Sequence, residues 1–127
     1  MINRFLRLFM FLAGIILIVS CEYEFIEPYT PPPVNPTDTV FFQAEITPIF
    51  VNSGCTNCHN GGIAFDFTTA NAYNSIISND LVVPFEPENS LIYTLPNPQT
   101  GTHGTKYSST DEAGLIYSWI EQGALNN

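Results

Sequence analysis

The chain has few basic residues. Only three of its 127 residues are Lys or Arg, whereas twelve are Asp or Glu. Arg4 and Arg7 lie close to the start, so Lys106 is the only Lys or Arg in the remainder of the chain. A surface this acidic repels nucleic-acid phosphates and anionic lipid headgroups. The composition therefore excludes nucleic-acid binding and favours exported partners with a basic docking face, with acidity that only maintains solubility as the alternative.

Long apolar runs are also lacking. The longest, at about residues 8–19, is shorter than the roughly 20 residues that a membrane-spanning helix needs. It follows the two arginines and ends in Ile18-Val19-Ser20-Cys21, which resembles the lipobox at which bacterial lipoproteins are cleaved and lipidated. We expect residues 1–20 to be a lipoprotein signal peptide and Cys21 to be the lipidated residue. An uncleaved anchor helix with a chance cysteine is the alternative, and either arrangement exports the domain.

The expected processing also sets the charge and the domain organisation. Removal of residues 1–20 takes away both arginines and leaves a formal charge of 1 − 12 = −11. Residues 21–39 contain half of the ten prolines, which indicates an extended tether. We expect residues 40–127 to form one domain, anchored by lipid to a bacterial membrane at the periplasmic or surface face of the outer membrane.

Cysteine is too scarce for a framework of several disulfides. With Cys21 assigned to lipid, the remaining two thiols lie in Cys55-Thr56-Asn57-Cys58-His59. The pattern Cys-x-x-Cys-His is that of covalent attachment of a c-type haem. Two thiols at this spacing can add to the two vinyl groups of one porphyrin, and the imidazole of His59 then serves as the proximal iron ligand.

Two other uses of these residues stay open. A zinc ion could draw on Cys55, Cys58, His59 and His103. However, structural zinc motifs usually carry two separated ligand pairs, and adjacent Cys58 and His59 would have difficulty reaching one ion. A redox-active dithiol or local disulfide is the other alternative, since Cys-x-x-Cys alone is common outside the cytoplasm.

The periodicity of apolar residues predicts an all-α domain. Residues 40–52 have one apolar helix face, with Asp38 or Thr39 as N-cap and Pro48 as a point where the helix kinks or shortens. Two short helices follow. The first would be capped by Thr68 or Thr69 and is followed by apolar residues at helical spacing, and the second begins near Pro87. The set at helical spacing in the first of these is Tyr73, Ile76 and Ile77.

The last helix has the clearest signals. Ser109 and Glu112 match a capping box, and Gly123 is expected to end the helix as its C′ residue. Trp119 is expected to pack against the first helix. Phe65 and Phe67, which follow the cysteine motif, are expected to cover one edge of the haem.

These segments together resemble a known family. The segments 55–62, 87–93 and 118–124 resemble the small cytochrome c-like domains of bacterial lipoproteins, including those related to planctomycete-type cytochrome c, over nearly all of residues 40–127. The resemblance implies an all-α, class I-like cytochrome fold of three to four helices around one covalently bound haem, carried by Cys55, Cys58 and His59. It also implies a sixth iron ligand, usually methionine, in the loop before the last helix.

Methionine is absent where that ligand is expected. The two methionines, Met1 and Met10, both lie in the expected signal peptide. The loop before the last helix contains His103, and we expect it to be the distal iron ligand, with Gly101 and Gly104 letting the backbone approach the porphyrin. The alternatives are a five-coordinate iron beside a solvated His103, or an amine ligand from Lys106.

The sequence thus predicts a lipid-anchored monohaem c-type cytochrome. It would hold one covalent haem c and pass single electrons between exported redox proteins, without a substrate of its own. An imidazole in place of methionine should lower the reduction potential. The alternative function is a haem-dependent peroxidase-like catalyst, or a ligand-binding or sensing module, with an open distal site.

Overall fold

The computed structural model describes residues 3–7, 10 and 38–127. Residues 3–7 form a short exposed helical segment. The expected lipidation site Cys21, most of the signal peptide and the tether up to residue 37 lie outside the described residues. Within the described part, no helix has the length and apolar character that a membrane crossing requires.

The described domain is helical, as predicted. It contains α1 (Thr47–Asn52), α2 (Ala72–Ser78), α3 (Leu91–Thr94) and α4 (Thr110–Glu121). A π-helical turn at Phe42–Ile46 precedes α1, and 3-10 turns lie at Cys55–Asn57 and Pro87–Asn89. No strand forms among residues 38–127, where the only β-type pairing is an isolated bridge between Asn60 and Asp66. The all-α prediction is confirmed at this level.

The first helical segment changes its winding just before Pro48. Proline has no N–H to donate and its ring clashes with the carbonyl four residues earlier in an α-helix. The preceding turn is widened instead, because Thr47 N–H donates to the Phe42 carbonyl five residues back. The Thr47 hydroxyl donates to the Gln43 carbonyl at 2.8 Å, which satisfies that acceptor. The proline therefore stands in the first turn of α1, where its missing N–H costs little.

The predicted N-cap of this segment is wrong. Neither Asp38 nor Thr39 caps it; the capping position is Phe41, which makes no side-chain cap bond. The free Phe42 N–H instead donates to Oδ1 of Asn127 at 2.9 Å. Gln122 reinforces this closure, since its Oε1 accepts from Val40 N–H at 2.8 Å. The first helical segment is therefore capped by residues that follow α4.

The predicted limits of α4 are confirmed. The Ser109 hydroxyl accepts from the Glu112 N–H at 3.1 Å, as an N-cap does. Past the end of the helix, Gly123 has φ +98°, a left-handed conformation that glycine adopts without a Cβ penalty. Gly123 N–H donates to Ile120 and Ala124 N–H to Trp119, the paired bonds of a Schellman motif.

The core joins the two ends of the domain. Trp119 is fully buried, and its ring centroid lies 5.0 Å from that of Phe42, so the predicted packing on the first helical segment is confirmed. Phe42 also meets Tyr73 edge-on at 5.2 Å. The other buried apolar residues are Val40, Ile46, Ile49, Phe50, Phe67, Ala72, Ile76, Leu81, Val82, Ile92, Tyr93, Tyr107, Ala113, Ile116, Ile120 and Ala124.

The middle helices differ in detail from the prediction. The first of them, α2, begins at Ala72, and Asn71 at its N-cap makes no side-chain cap bond, so the predicted threonine caps are wrong. Ile76 is buried as expected, but Ile77 is 40% exposed and lies outside the core. The predicted helix at 87–93 is split into the 3-10 turn and α3. Ser90, buried at the junction, donates its hydroxyl to the Glu86 carbonyl.

Candidate functional site

An apolar cleft lies between the cysteine motif and the loop that precedes α4. It encloses about 500 Å³ of space between protein atoms, part of it open to solvent. The structure brings both histidines of the sequence to this cleft. The lining residues are Phe50, Cys55, His59, Phe65, Phe67, Leu81, Leu91, Ile92, Leu95, Pro96, His103, Thr105 and Tyr107.

The cysteine motif enters the cleft because α1 ends abruptly before it. Gly54 has φ +72°, which reverses the chain after α1, and a 3-10 turn then begins at Cys55. His59 N–H donates to the Cys55 carbonyl at 2.9 Å, so these two residues lie one tight turn apart. This turn brings both side chains to the lining of the cleft, whereas Cys58 is exposed and is not among the lining residues.

Both cysteines are free thiols, so no local disulfide forms here. Burial raises the pKa of the Cys55 thiol, the negative charge of Glu112 adds to the rise, and a backbone hydrogen bond opposes it. Reactive cysteines of redox enzymes have the opposite property, a lowered pKa that keeps the thiolate populated. The environment of Cys55 therefore does not favour the redox-active dithiol alternative.

His59 is held by the main chain of the segment that follows it. Its Nδ1 lies 2.7 Å from the Ala64 carbonyl oxygen, and because a carbonyl only accepts, Nδ1 carries the proton. The Phe67 N–H donates to the His59 carbonyl at 2.8 Å. The imidazole packs against Phe67 and Phe65, with ring centroids 4.9 and 5.8 Å away. This tautomer leaves Nε2 as the nitrogen available to a ligand.

His103 approaches from the loop between α3 and α4. Its N–H donates to the Leu95 carbonyl at 3.0 Å, and its Nδ1 lies 2.7 Å from the Thr105 carbonyl oxygen. The imidazole is exposed, yet it borders the cleft, and its centroid lies 6.1 Å from that of His59 with the planes inclined by 39°. Lys106, the other proposed distal ligand, is not among the lining residues.

The separation of the two imidazoles can be compared with that of two imidazoles bound to one metal ion. A bond of about 2.0–2.1 Å from imidazole nitrogen to a first-row metal, with about 1.1 Å more to the ring centre, puts two trans centroids about 6.3 Å apart. The observed 6.1 Å agrees with that spacing. Imidazole is also a suitable ligand for iron. The centroid distance is therefore compatible with one metal ion between His59 and His103, and it also falls in the roughly 4.5–7 Å range of direct ring–ring contact.

Gly101 of the His103 loop does not have the role that we predicted. A Cβ on Gly101 would lie 2.2 Å from the Leu95 carbonyl oxygen and 2.6 Å from that of Asn97. Gly101 thus allows the loop to fold tightly on its own backbone, and it does not line the cleft. A Cβ on Gly104 would meet nothing within 4 Å. Gly104 is also not among the lining residues, and its predicted approach to the porphyrin stays a prediction.

Three residues at the site gave no usable signal in the sequence. Ala64 acts through its carbonyl, which every residue type has. Asp66 is not itself a lining residue of the cleft, although its neighbours Phe65 and Phe67 are. Tyr107 is buried among the cleft residues and donates its hydroxyl to the Ile92 carbonyl at 2.5 Å. An aromatic residue two positions before an N-cap indicates packing but does not indicate which group its hydroxyl bonds.

The zinc alternative lacks its ligand set in the part of the chain that is described. No group of three or more His, Cys, Asp and Glu side chains there is arranged to hold a metal ion. Structural zinc sites are almost always four-coordinate. The two histidines and Cys55 share the cleft, but they do not form such a group.

Comparison with known proteins adds no relative. No protein-family model, curated protein or solved structure matches this chain. The resemblance to cytochrome c-like domains therefore stays a prediction carried by the sequence motifs.

Proposed function

We propose that this protein is a monohaem c-type cytochrome that transfers single electrons. The haem would be attached through Cys55 and Cys58, with His59 as proximal and His103 as distal iron ligand. The observation that carries the proposal is the pair of imidazoles at 6.1 Å across an apolar cleft that Cys55 also lines.

The apolar surface of the cleft supports an occupant that is itself apolar and flat. Leu91 and Leu95 border the cleft yet are 46% and 40% exposed. They stand one turn apart across α3, so they present adjacent side chains to the same ligand. Covering such side chains with a porphyrin would remove apolar area from water, a favourable change of about 25 cal/mol per Å².

The cysteine environment fits thioether formation. Each attachment adds a thiol S–H across one vinyl group, with the sulfur bonding to carbon and the hydrogen going to the neighbouring carbon. Cys58 is exposed and so is accessible to the maturation machinery that c-type attachment needs.

The ligand set determines the kind of electron carrier. When bound, the haem supplies a one-electron Fe(III)/Fe(II) couple, which histidine and methionine together hold at a higher potential than two histidines do. His59 and His103 keep both axial positions filled, which favours outer-sphere transfer over binding of a substrate. The described domain has nine acidic residues against Lys106 alone, so a redox partner with a basic docking face complements it. We propose that Cys21 carries the lipid that anchors the exported protein to its membrane.

The three cysteines allow a matched test. The full chain is expressed in a bacterium with c-type maturation, and covalent haem is measured by in-gel haem staining and the pyridine haemochrome spectrum. Cys55→Ala and Cys58→Ala should each lose at least one thioether bond, and the double variant should lose all covalent haem. Cys21→Ala should keep the haem and lose lipid labelling. Wild-type protein that never acquires covalent haem would overturn the proposal.

A ligand-binding module is the second candidate, favoured by the exposure of His103. Its imidazole bonds only within its own loop, through Thr105. A small ligand could then displace it from iron. Carbon monoxide added to the ferrous protein separates the two functions: an electron carrier should leave the low-spin bands unchanged over minutes, whereas a ligand-binding module should convert at once to the carbonyl spectrum.

A further inference from the structure

We propose that Asp66 is a positioning residue for His59. Its carboxylate fixes the segment whose Ala64 carbonyl accepts from His59 Nδ1–H, and through that bond it sets how strongly His59 donates to the iron. The inference rests on the proposed function as far as the iron is concerned. Its structural part, the control of the His59 imidazole by Asp66, stands on contacts of the chain alone.

The segment that follows His59 makes two hydrogen bonds with it, one to the imidazole and one to the main chain. The Nδ1–Ala64 bond of 2.7 Å holds the imidazole, and Phe67 N–H holds the His59 carbonyl at 2.8 Å. Between them, Asn60 and Asp66 form the isolated bridge. The carbonyl that orients the imidazole thus belongs to a short loop, residues 60–66, whose shape depends on what fastens its second end.

Asp66 fastens that second end to the start of α2. Its Oδ1 accepts from the Thr68 N–H at 2.9 Å and from the Thr68 hydroxyl at 2.6 Å, and its Oδ2 accepts from Asn71 Nδ2 at 2.8 Å. Its own N–H donates to the Ser75 hydroxyl at 2.8 Å. The bonds from Thr68 lower the pKa of the Asp66 carboxyl, so it is ionised and accepts from all three donors at neutral pH.

The loop needs this support because part of its backbone is strained. Phe65 has φ +72°, a left-handed conformation that is uncommon for a bulky L residue. Phe65 stands directly between Ala64 and Asp66 in the chain. Release of the Asp66 carboxylate would let Phe65 relax toward negative φ, and the Ala64 carbonyl next to it would turn away from His59. The strain at Phe65 and the hydrogen bonds of the Asp66 carboxylate therefore both affect the bond between His59 Nδ1–H and the Ala64 carbonyl.

Loss of the carbonyl acceptor has a definite electronic sign. A hydrogen bond from Nδ1–H raises the basicity of the ligating imidazole, and losing such a partner typically costs 10–100-fold in metal affinity. A more basic imidazole favours Fe(III) over Fe(II), so its loss should raise the reduction potential. A tenfold change in that preference is roughly 59 mV for a one-electron couple.

The test separates the effect of the Asp66 hydrogen bonds from the effect of its negative charge. Asp66→Ala, Thr68→Val and Asn71→Ala are made in the full-length holoprotein, the last two without change of charge. Asp80→Ala is the charge control, since Asp80 is exposed and no side-chain hydrogen bond involves it. Its φ of +53° makes alanine strained there, so Asp80→Asn, which also removes the charge and tolerates that conformation, is measured beside it. We expect Asp66→Ala and Thr68→Val to raise the potential by the equivalent of a threefold to tenfold preference. Asn71→Ala should do so less, and Asp80→Ala should give a smaller shift than Asp66→Ala.

A second readout reports on His59 directly. In the ferrous, low-spin protein the His59 Nδ1–H proton is followed by NMR, and its exchange with water should become faster in Asp66→Ala and Thr68→Val but not in Asp80→Ala. Thr68→Val keeps the carboxylate and is the milder variant if Asp66→Ala fails to fold. Unchanged exchange and potential in Thr68→Val, with equal shifts in Asp66→Ala and Asp80→Ala, would overturn the inference in favour of plain charge removal.

A measurement on the haem-free chain distinguishes failure of this inference from failure of the proposed function. If the wild type carries no haem, ¹⁵N NMR of the haem-free chain reports the His59 tautomer instead. If the Asp66 hydrogen bonds position His59, we expect the Nδ1–H tautomer in the wild type and a mixed tautomer population in Thr68→Val. Equal populations in the two proteins would overturn the role of Asp66, whatever the protein binds.

Discussion

His59 and His103 lie 6.1 Å apart, centroid to centroid, although 44 positions separate them in the chain. Each imidazole is oriented by a backbone carbonyl, Ala64 for His59 and Thr105 for His103, through its Nδ1. For His59 this leaves Nε2 for a ligand, whereas His103 Nδ1 also lies 3.2 Å from the Thr105 N–H, from which it can accept, so its tautomer does not follow from these contacts. The two histidines differ in exposure, since His59 is half-buried among aromatic side chains and His103 is exposed. The His103 side of the cleft is consequently the more exposed to solvent.

Removal of the distal imidazole should change the spin state of the iron. In His103→Ala, we expect the ferric protein to lose its low-spin absorption bands and to become high-spin at neutral pH, because one axial ligand is gone. Covalent haem should be retained, since Cys55, Cys58 and His59 are intact. In His103→Met, a thioether replaces the imidazole, and the reduction potential should rise if the methionine binds.

The control for this prediction is Lys106→Ala. Lys106 does not line the cleft, so its removal should leave the low-spin spectrum unchanged. A low-spin spectrum that survives in His103→Ala and disappears in Lys106→Ala would contradict the assignment and make the amine the distal ligand.

The two glycines of the His103 loop should respond differently to the same added methyl group. In Gly101→Ala, the Cβ would lie 2.2 Å from the Leu95 carbonyl, the acceptor of His103 N–H, so the loop must shift. We expect a partial or complete loss of low-spin iron and a destabilisation of about 1–3 kcal/mol, the usual cost of overpacking. Absorption spectra and urea unfolding measure the two effects.

Gly104→Ala supplies the matched comparison. Its Cβ would meet nothing within 4 Å, so the spectrum and the free energy of unfolding should stay within about 0.5 kcal/mol of the wild type. Equal effects of the two substitutions would show that loop rigidity in general, rather than the contact at Leu95, determines the position of His103.

The elements that the sequence predicted well are those whose signals are local. The limits of α4 depend on Ser109 and Gly123, each within a few residues of the backbone groups it satisfies. The first helical segment was harder, because Phe42 N–H finds its acceptor on Asn127, 85 positions away. Thr68 is a polar residue before a helix, as an N-cap should be, but α2 begins only at Ala72, so Asn71 occupies the N-cap position and the Thr68 hydroxyl donates to Asp66.

The site shows the same division. The absence of methionine beyond Met10 drew attention to His103, and the structure brings His103 to the cleft beside His59. Whether an iron binds between them stays a prediction. The acceptor of the His59 imidazole could not be predicted. Every residue has a backbone carbonyl, so only the folded course of the main chain determines which one lies beside Nδ1. The function of Gly101 was misjudged for a related reason, since its close contact is with its own loop.

The N-cap of α4 should matter for stability. Ser109→Ala leaves the Glu112 N–H without its acceptor, and we expect the free energy of unfolding to fall by about 1 kcal/mol. Ser109→Gly should cost only a few tenths of a kcal/mol. Urea unfolding of the holoprotein measures both. Equal losses in the two variants would mean that the hydroxyl is not the stabilising group.

The buried hydroxyl of Tyr107 should make stability fall at high pH. Burial raises the pKa of Tyr107 well above its usual value near 10, and the negative charges of Cys55 and Glu112, where ionised, act in the same direction. Below pH 10 the phenol is protonated in both folded and unfolded chains, so its contribution is complete. Above pH 10 the unfolded chain releases this proton and the folded chain retains it. The free energy of unfolding should then fall by up to about 1.4 kcal/mol per pH unit.

Tyr107→Phe isolates this contribution, because all other titrating groups are common to both proteins. At pH 8 we expect the variant to be less stable by about 1 kcal/mol, since the Ile92 carbonyl loses its donor. The difference should shrink as the pH rises above 10, and the two stability curves should converge or cross, because only the wild type must keep a buried phenol protonated. Urea unfolding between pH 8 and 11 measures both curves. Parallel curves over that range would show that water reaches the Tyr107 hydroxyl in the folded protein, and that this side of the cleft is open.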